Sequence, residues 1–343
     1  MSWKGKTVEE IITVQNLSKR FVSKGKKGQS KVVEAVRGIS FTVEQGEIFG
    51  FLGPNGAGKT TTLRMLTTLL PIDEGRAALA GFDVARQAAQ VRSRIGYVSQ
   101  LGGADDDATG REDLLLQGRL YGLGGTALQE RVDEVLRALD LASIAERRVK
   151  TYSGGQRRRL DVALGIVHRP EVLFLDEPST SLDPQNRANL WDHIRRLRDR
   201  GTTVFLTTHY LEEADALCDR VMIMDHGGIV AEGTPAALKR QVGGHSVFLS
   251  FKGGDDVLAE ALALLREASL VAEAVPQEAG LRLYVDDGAA FLPALLRLLD
   301  SHRIALTRIT VSEPTLDDVF LEKTGRSLRD TEMTSSERME VVA

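Results

Sequence analysis

Gly53-Pro54-Asn55-Gly56-Ala57-Gly58-Lys59-Thr60-Thr61 follows the apolar run Ile48-Phe49-Gly50-Phe51-Leu52 and opens a helical pattern that extends to Leu70. A strand, a glycine-rich turn and a helix in that order are the setting in which G-x-x-x-x-G-K-T binds phosphate as a P-loop. A triphosphate is dense with anionic oxygens, which converging backbone N–H groups and a cation must meet. Gly53, Gly56 and Gly58 carry no Cβ to block that approach and can take positive φ. Lys59 is then placed to reach the β- and γ-phosphates, and Thr60 to bind Mg²⁺ through its hydroxyl, while the helix N-terminus adds partial positive charge. The plain alternative, a glycine-rich surface turn, does not account for the strand before it and the helix after it.

A P-loop site needs a second part, an acidic residue at the end of an apolar strand. Val172-Leu173-Phe174-Leu175 runs into Asp176-Glu177, so Asp176 can hold the Mg²⁺ that Thr60 binds. Glu177 can polarise a water for in-line attack on the γ-phosphate. Without the P-loop, the same pair reads equally well as a solvated strand end. Thr203-Val204-Phe205-Leu206-Thr207 is another continuous apolar strand and leads to His209, with a helix near Gln185 to Asp199 in between. Such strands alternating with helices predict a parallel sheet covered on both faces. Ligands of these sheets sit at the carboxyl ends of the strands, where the P-loop, Asp176, Glu177 and His209 are expected.

The remaining segments organise around this core. Glu9 to Gln15 reads as a first strand, Ser23 to Lys31 as a basic, solvated loop, and Val32–Val36 and Ile39–Val43 as strands parted by a turn at Arg37-Gly38. Gly75 and Gly81 bracket a short strand, Val84 to Arg94 reads as a helix, and Ile95 to Val98 as a strand ending before Gln100. A polar loop over 101–109 leads to helical spacing at Arg111–Tyr121 and Ala127–Leu139. Another helix begins at Ser153-Gly154-Gly155-Gln156 and runs towards Pro170, which predicts a helical subdomain over about 101–168. Val221–Met224 and Ile229–Ala231 read as a hairpin.

From about Pro235 the pattern becomes a smaller α+β domain over 236–325. Its strands are expected near 247–251, 281–285 and 304–311, and its helices near 257–266 and 291–299. A final helix is signalled by Pro314 at an early helical position, by Glu313, Asp317 and Asp318 near its N-terminus, and by Gly325 as its stop. Residues 1–8 read as a loose terminus and 326–343 as a polar, disordered tail.

At 343 residues, 42% hydrophobic and 27% charged, the chain has material for one large domain and one small. A net charge of −4 gives no global reason to expect nucleic acid as a partner. Cys218 is the only cysteine, which excludes an intramolecular disulfide and reads as a small buried apolar residue. No apolar run approaches the roughly 18 residues that span a bilayer, and the N-terminus has no signal-peptide core, so any action at a membrane is expected through a docked partner.

The P-loop, Gln100, Tyr152-Ser153-Gly154-Gly155-Gln156, Val172 to Glu177 and His209 together resemble the ordered motif set of ABC-type ATPases. These motifs span most of residues 1–235. Ser153 to Gln156 is the most diagnostic, because generic P-loop kinases and GTPases lack it. The resemblance implies a P-loop NTPase fold with a parallel core sheet, an antiparallel β subdomain and a helical subdomain. It further implies ATP and Mg²⁺ as cofactors and a head-to-tail dimer, of two copies or with a homologous ATPase, in which the signature of one subunit closes over ATP held by the other. Phe21 would stack on adenine. Gln100 would contact Mg²⁺ and the attacking water and couple to a membrane subunit; His209 would sense the γ-phosphate. Ser181-Leu182-Asp183-Pro184 resembles the D-loop, with Asp183 at the dimer interface. Two positions depart from the family's habit: Tyr152 stands where Leu is usual, and Ser181 where Gly or Ala is usual, which bears on loop geometry.

Glu313-Pro314-Thr315-Leu316-Asp317-Asp318-Val319-Phe320-Leu321 with Thr324-Gly325 looks like the C-terminal motif of daunorubicin-resistance-type ATPases, and Thr207 to Ala214 fits the same subgroup. The resemblance then implies a peripheral protein on the cytoplasmic face of the membrane that energises efflux of a drug, antibiotic or lipid-like molecule through a separate integral permease. The alternative is a soluble ABC ATPase acting on ribosomes, DNA or a protein complex. Such relatives often carry two cassettes or a long coiled-coil insertion, and this chain has neither. A small-molecule kinase conflicts with Ser153 to Gln156 and with Glu177 beside Asp176.

Overall fold

The structure, a computed structural model, describes residues 9–24, 30–242, 245–252, 255–267, 273–277, 280–285 and 288–327. The expectations for residues 1–8, for 25–29 of the basic loop and for 328–343 of the tail lie outside the described residues. In chain order the first elements are β1 (Glu10–Lys24), β2 (Ser30–Glu44), β3 (Ile48–Leu52), α1 (Lys59–Leu66), β4 (Glu74–Leu79), β5 (Phe82–Asp83), α2 (Ala88–Arg94) and β6 (Ile95–Val98). Then follow α3 (Gly110–Leu120), α4 (Gly125–Ala138), α5 (Gly154–Ile166), β7 (Val172–Asp176), α6 (Pro184–Asp199), β8 (Thr203–Thr208), α7 (Leu211–Leu217), β9 (Arg220–Asp225) and β10 (Gly228–Gly233). The last are α8 (Pro235–Gln241), β11 (His245–Phe251), α9 (Asp255–Glu267), β12 (Glu273–Gln277), β13 (Gly280–Val285), α10 (Gly288–Ser301), β14 (Leu306–Ser312) and α11 (Leu316–Thr324).

The chain divides into two compact units, the first ending at Pro235 and the second covering Ala236–Ser327. The first is built on a six-stranded sheet of order β10-β9-β3-β8-β7-β6. Its neighbours pair in parallel from β9 to β6, and β10 joins antiparallel to β9. Every residue of β3, β7 and β8 is buried, which is why these strands read as unbroken apolar runs rather than alternating ones. A second, antiparallel sheet of order β2-β1-β4-β5 packs on this core. Phe41 of β2 joins the two sheets, its ring centroid 5.8 Å from Phe49 and 5.1 Å from Phe51, with Phe205 4.8 Å from Phe51. Fully burying each such ring is worth on the order of 1.5–3 kcal/mol.

Helix α5 lies against the core at a point of backbone contact. A Cβ built on Gly96 of β6 would stand 2.0 Å from the carbonyl oxygen of Gly165 in α5. Backbone cannot yield as a side-chain tip can. Gly96→Ala is therefore expected to destabilise the first unit by about 1–3 kcal/mol, read as a fall of several degrees in a thermal melt; an unchanged midpoint would contradict this close approach.

The second unit forms a four-stranded antiparallel sheet of order β12-β13-β11-β14, with α9 and α10 between its strands in sequence, the split β-α-β arrangement of ferredoxin-like folds. Val247, Leu249, Leu281 and Leu283 pack with Ala261, Leu265, Leu295 and Leu299 in one core.

Several local expectations are corrected. The β1–β2 ladder continues to Lys24↔Ser30, so Ser23, Lys24, Ser30 and Lys31 are strand rather than loop. β2 does not break at Arg37-Gly38: Gly38 takes φ +62°, its N–H donates to Ser18 Oγ, and irregular register against β1 absorbs the kink. α1 stops at Leu66 rather than Leu70, because Thr68 turns to φ +63° and the amides of Leu69 and Leu70 fold back on the Arg64 carbonyl. α2 begins at Ala88 rather than Val84, because Asp83 Oδ1 accepts from the amides of Ala85 and Arg86 and holds that segment in a turn. In α11 the cap is Thr315, paired reciprocally with Asp318, so Pro314 precedes the helix; Gly325 ends it at φ +75° as expected. Helices α7 and α8 and strand β12 were not anticipated.

Candidate functional site

The loop after β3 is shaped by two glycines. A Cβ on Gly53 would fall 2.2 Å from the Met224 carbonyl oxygen, and Gly58 sits at φ +103° with its Cβ position 2.5 Å from the Ala35 carbonyl oxygen. The loop is thus pressed between β9 and β2, and α1 starts directly from Gly58. Lys59 is 4% exposed; its Nζ donates to the Gly53 carbonyl at 2.7 Å and the Pro54 carbonyl at 3.1 Å. The ammonium is held over the loop that its own backbone forms.

The strand ends meet this loop. Register places Asp176, the last residue of β7, opposite Thr207 of β8. Asp176 Oδ1 accepts from Thr60 Oγ1 at 2.9 Å and from Thr207 Oγ1 at 2.7 Å. Glu177 leaves the strand at φ +46°, a left-handed conformation that costs about 1–2 kcal/mol for a residue with a Cβ. Its N–H, donating to the Thr207 carbonyl and Oγ1 at 3.1 Å, holds it there. The Glu177 side chain gathers the rest. Oε2 accepts from Gln100 Nε2 at 3.0 Å and Thr180 Oγ1 at 3.3 Å; Oε1 lies 3.3 Å from His209 Nδ1 and 3.9 Å from Lys59 Nζ. Burial alone disfavours the charged carboxylate, yet His209 and Lys59 outweigh it and hold Glu177 below the ordinary glutamate range.

A cleft of about 610 Å³ opens over the loop, lined by residues 55–61, Phe21, Val32, Val33, Glu177 and His226 among others. Phe21 is 41% exposed, with Lys19 Nζ 5.7 Å from its ring centroid. Its ring is thus available on one side of the cleft. Residues Ser153 to Gln156 and Asp183 do not line it. Ser153 caps α5 by accepting from the Gln156 amide at 3.3 Å, and Gln156 Oε1 accepts from the Ser153 amide at 2.9 Å. Gly155 is buried so closely that a Cβ would meet Asn186 Oδ1 at 2.2 Å. Asp183 caps α6 through the Asn186 amide, the first cause of its lowered pKa. The two departures from the family's habit are accommodated: Tyr152 donates its hydroxyl to the Ile144 carbonyl at 2.8 Å, and Ser181 takes φ +65°, the region glycine would occupy without strain.

Comparison with known proteins accords with this arrangement. The family model for ABC transporters matches residues 36–180, and the model for the C-terminal domain of DrrA1-3-like ATP-binding proteins matches 233–324. The daunorubicin resistance ATP-binding protein DrrA2 of Streptomyces coeruleorubidus is 43% identical over 87% of this chain and 92% of that protein.

The chain belongs to the DrrA-type ABC transporter ATP-binding proteins.

Other DrrA-type relatives include the doxorubicin resistance ATP-binding protein DrrA of Mycobacterium tuberculosis, 42% identical over 87% of this chain and 90% of that protein. The linearmycin resistance ATP-binding protein LnrL of Bacillus subtilis is 37% identical over 86% and 95%. Among solved structures, an ATP-binding subunit of an ABC transporter covers 67% of this chain and 92% of its own, at a TM-score of 0.57 and 26% identity. The cbiO1 structure of Clostridium perfringens agrees in fold at a TM-score of 0.60 and 24% identity, over 76% of this chain and 98% of its own. As an ABC-type ATPase of this family, the chain binds and hydrolyses ATP. The Thr60 hydroxyl and Asp176 carboxylate, both hard oxygen donors in contact, fit the ligand chemistry of Mg²⁺. Among the described residues no helix is long and apolar enough to cross a membrane.

Sequence reasoning missed Thr207, which bridges Asp176 and the Glu177 amide. Its only sequence signal was its place two residues before His209 at the end of an apolar strand. Thr180, His226 and Arg158 were missed as well.

Proposed function

We propose that this chain is the ATP-hydrolysing subunit of an export system that moves a drug, antibiotic or lipid-like molecule through a separate integral permease. The observation that carries this reading is similarity along both units, residues 233–324 included, to ATP-binding proteins named for resistance to daunorubicin, doxorubicin and linearmycin. On this reading residues 1–235 form the ATP-binding domain, 236–325 an accessory domain, and the protein works at the cytoplasmic face of the membrane.

In the site, Phe21 stacks on adenine, and Gly53 to Thr61 wrap the phosphates with backbone N–H groups. Lys59, released from its loop carbonyls, meets the β- and γ-phosphates. Thr60, Asp176 and Gln100 hold Mg²⁺, which when bound neutralises charge on the phosphates. Glu177 accepts a proton from the attacking water, and His209 follows the γ-phosphate. Ser153 to Gln156 do not line the cleft of their own chain. A second copy or a homologous ATPase completes the site by laying its signature over the nucleotide, with Asp183 near the shared face.

The test is purification of the tagged protein from its native host in mild detergent, followed by mass spectrometry. A polytopic membrane protein in comparable amount is the expected companion. Ribosomal proteins or nucleic acid without a membrane subunit would overturn the export reading and leave the ATPase standing.

A further inference from the structure

Three consecutive arginines, Arg157, Arg158 and Arg159, follow the signature on α5, and the middle one turns inward. Arg158 is 7% exposed. Its guanidinium donates through Nε to the Pro178 carbonyl at 2.7 Å and through Nη1 to the Ser99 carbonyl at 2.7 Å. Nη2 donates to the carbonyls of Asp176 at 3.2 Å and Glu177 at 3.4 Å. Four carbonyls therefore converge on one cation, and they belong to two segments: the residue before Gln100, and the three-residue turn that contains Glu177. One turn further along α5, Asp161 is 6% exposed, and its Oδ1 accepts from the amides of Gly103 at 2.9 Å and Ala104 at 3.2 Å. Asp161 Oδ2 lies 3.9 Å from Arg158 Nη1.

The loop bearing Gln100 is thus gripped on both sides by one helix, at Ser99 by Arg158 and at Gly103-Ala104 by Asp161. Gly102 makes the fit possible. It takes φ +77°, and a Cβ there would fall 2.6 Å from Asp161 Oδ2. A buried guanidinium is costly unless its donors are satisfied, and here its planar fork matches fixed backbone acceptors that a single ammonium could not span. Arg158 thus adds to the hold on the left-handed φ of Glu177 from the carbonyl side, while Thr207 holds its amide on the other. These contacts reach the residues that line the cleft only through Glu177 itself and through Asp176, which Thr60 touches.

We propose that Arg158 and Asp161 are positioning residues for ATP hydrolysis, which hold Gln100 and Glu177 in register with each other and tie both to the helix that carries the signature Ser153. This rests on the roles given above to Glu177 and Gln100. Arg158 touches no nucleotide; it acts by fixing where the Glu177 carboxylate and the Gln100 amide meet.

The test compares Arg158→Met, Glu177→Gln and the double variant in the full-length chain, with ATP and Mg²⁺ as the probe. Arg158→Met is expected to lower kcat by about 10- to 100-fold, as small misplacements of catalytic groups do, while KM and the ATP Kd stay within about twofold. In the Glu177→Gln background, the further loss from Arg158→Met is expected to be clearly smaller than in the wild-type background, because of the two groups it aims only Gln100 remains. Multiplicative losses in the double variant, or loss of ATP binding in step with kcat, would reduce Arg158 to a stabilising residue and overturn the proposal. Should Arg158→Met not fold, Arg158→Lys, which keeps the charge but replaces the planar fork by one compact ammonium, must show the same split between kcat and KM. Unimpaired Glu177→Gln would remove the underlying reading, whereas impaired Glu177→Gln with unimpaired Arg158→Met removes this inference alone.

Discussion

Glu177→Gln is expected to retain ATP binding and to lose about 10²–10⁴-fold in turnover, the range for removing a positioned general base. The substitution keeps shape and keeps an acceptor oxygen for Gln100 Nε2 and Thr180 Oγ1, the two donors found on Oε2. What it removes is the charge and the basic lone pair. The rest of the cleft lining, the P-loop and Lys59 are untouched, so affinity for ATP should persist. With hydrolysis blocked, the head-to-tail dimer proposed above would have no route to reopen, and size-exclusion chromatography with ATP and Mg²⁺ should show a dimer that ADP does not support. Turnover near the wild-type rate would exclude Glu177 as the base and direct attention to the phosphate itself as proton acceptor. Glutamine also removes the negative charge that lies 3.9 Å from Lys59 Nζ and 3.3 Å from His209 Nδ1. Some loss of stability is therefore expected beside the kinetic effect. It should be small against the loss in turnover, because Asp176 and bound phosphates remain nearby.

The layout of the candidate site was legible in the sequence where it depends on local order. The P-loop lies between a strand and a helix that adjoin it, Asp176-Glu177 closes an apolar strand, and Ser153 to Gln156 is a capping box as well as a signature, so each motif carries its own secondary structure. What was not legible depends on pairing across the fold. Thr207 matters because β7 and β8 align Asp176 with it, a register set by burial on both faces and not by either strand alone. Arg158 is hidden among Arg157 and Arg159, where a basic triplet on a helix reads as a solvated face; only packing reveals that the middle one is buried. The positive φ of Glu177 and Ser181 likewise follows from tertiary contacts, since neither residue type advertises it. The errors of boundary have the same origin. Side-chain turns at Asp83 and Thr315 outcompeted helix extension, and the β1–β2 ladder overrode the polar composition of Ser23 and Lys24.

His209→Gln is expected to lower hydrolysis by about 10- to 100-fold, the cost of losing one close polar contact to a charged group, and to make the loss pH-dependent. Burial disfavours the charge on Glu177, while His209, Lys59 and the Thr180 hydroxyl favour it. With His209 present the favourable side wins, so the carboxyl stays ionised below the ordinary glutamate range and the base is available throughout neutral and mildly acidic pH. Without it, burial faces mainly Lys59 and Thr180, and the Glu177 pKa moves up. The sign for stability follows the same way. A folded-state pKa below the unfolded one gives stability that is complete above the unfolded value and is lost as pH falls through the folded value, so removing His209, which brings the folded value up towards the unfolded one, should reduce the stability Glu177 contributes at neutral pH and shrink its share of the acid destabilisation. For catalysis, the ratio of variant to wild-type kcat should fall as pH is lowered from 8 towards 5.5, with saturating ATP and Mg²⁺ at every point. A ratio that stays flat across that range would show that His209 acts only on the phosphate and leaves the Glu177 carboxyl unaffected. Glu177→Gln provides the control, because with no carboxyl at position 177 the added His209→Gln substitution should leave residual turnover with no acidic limb of this kind.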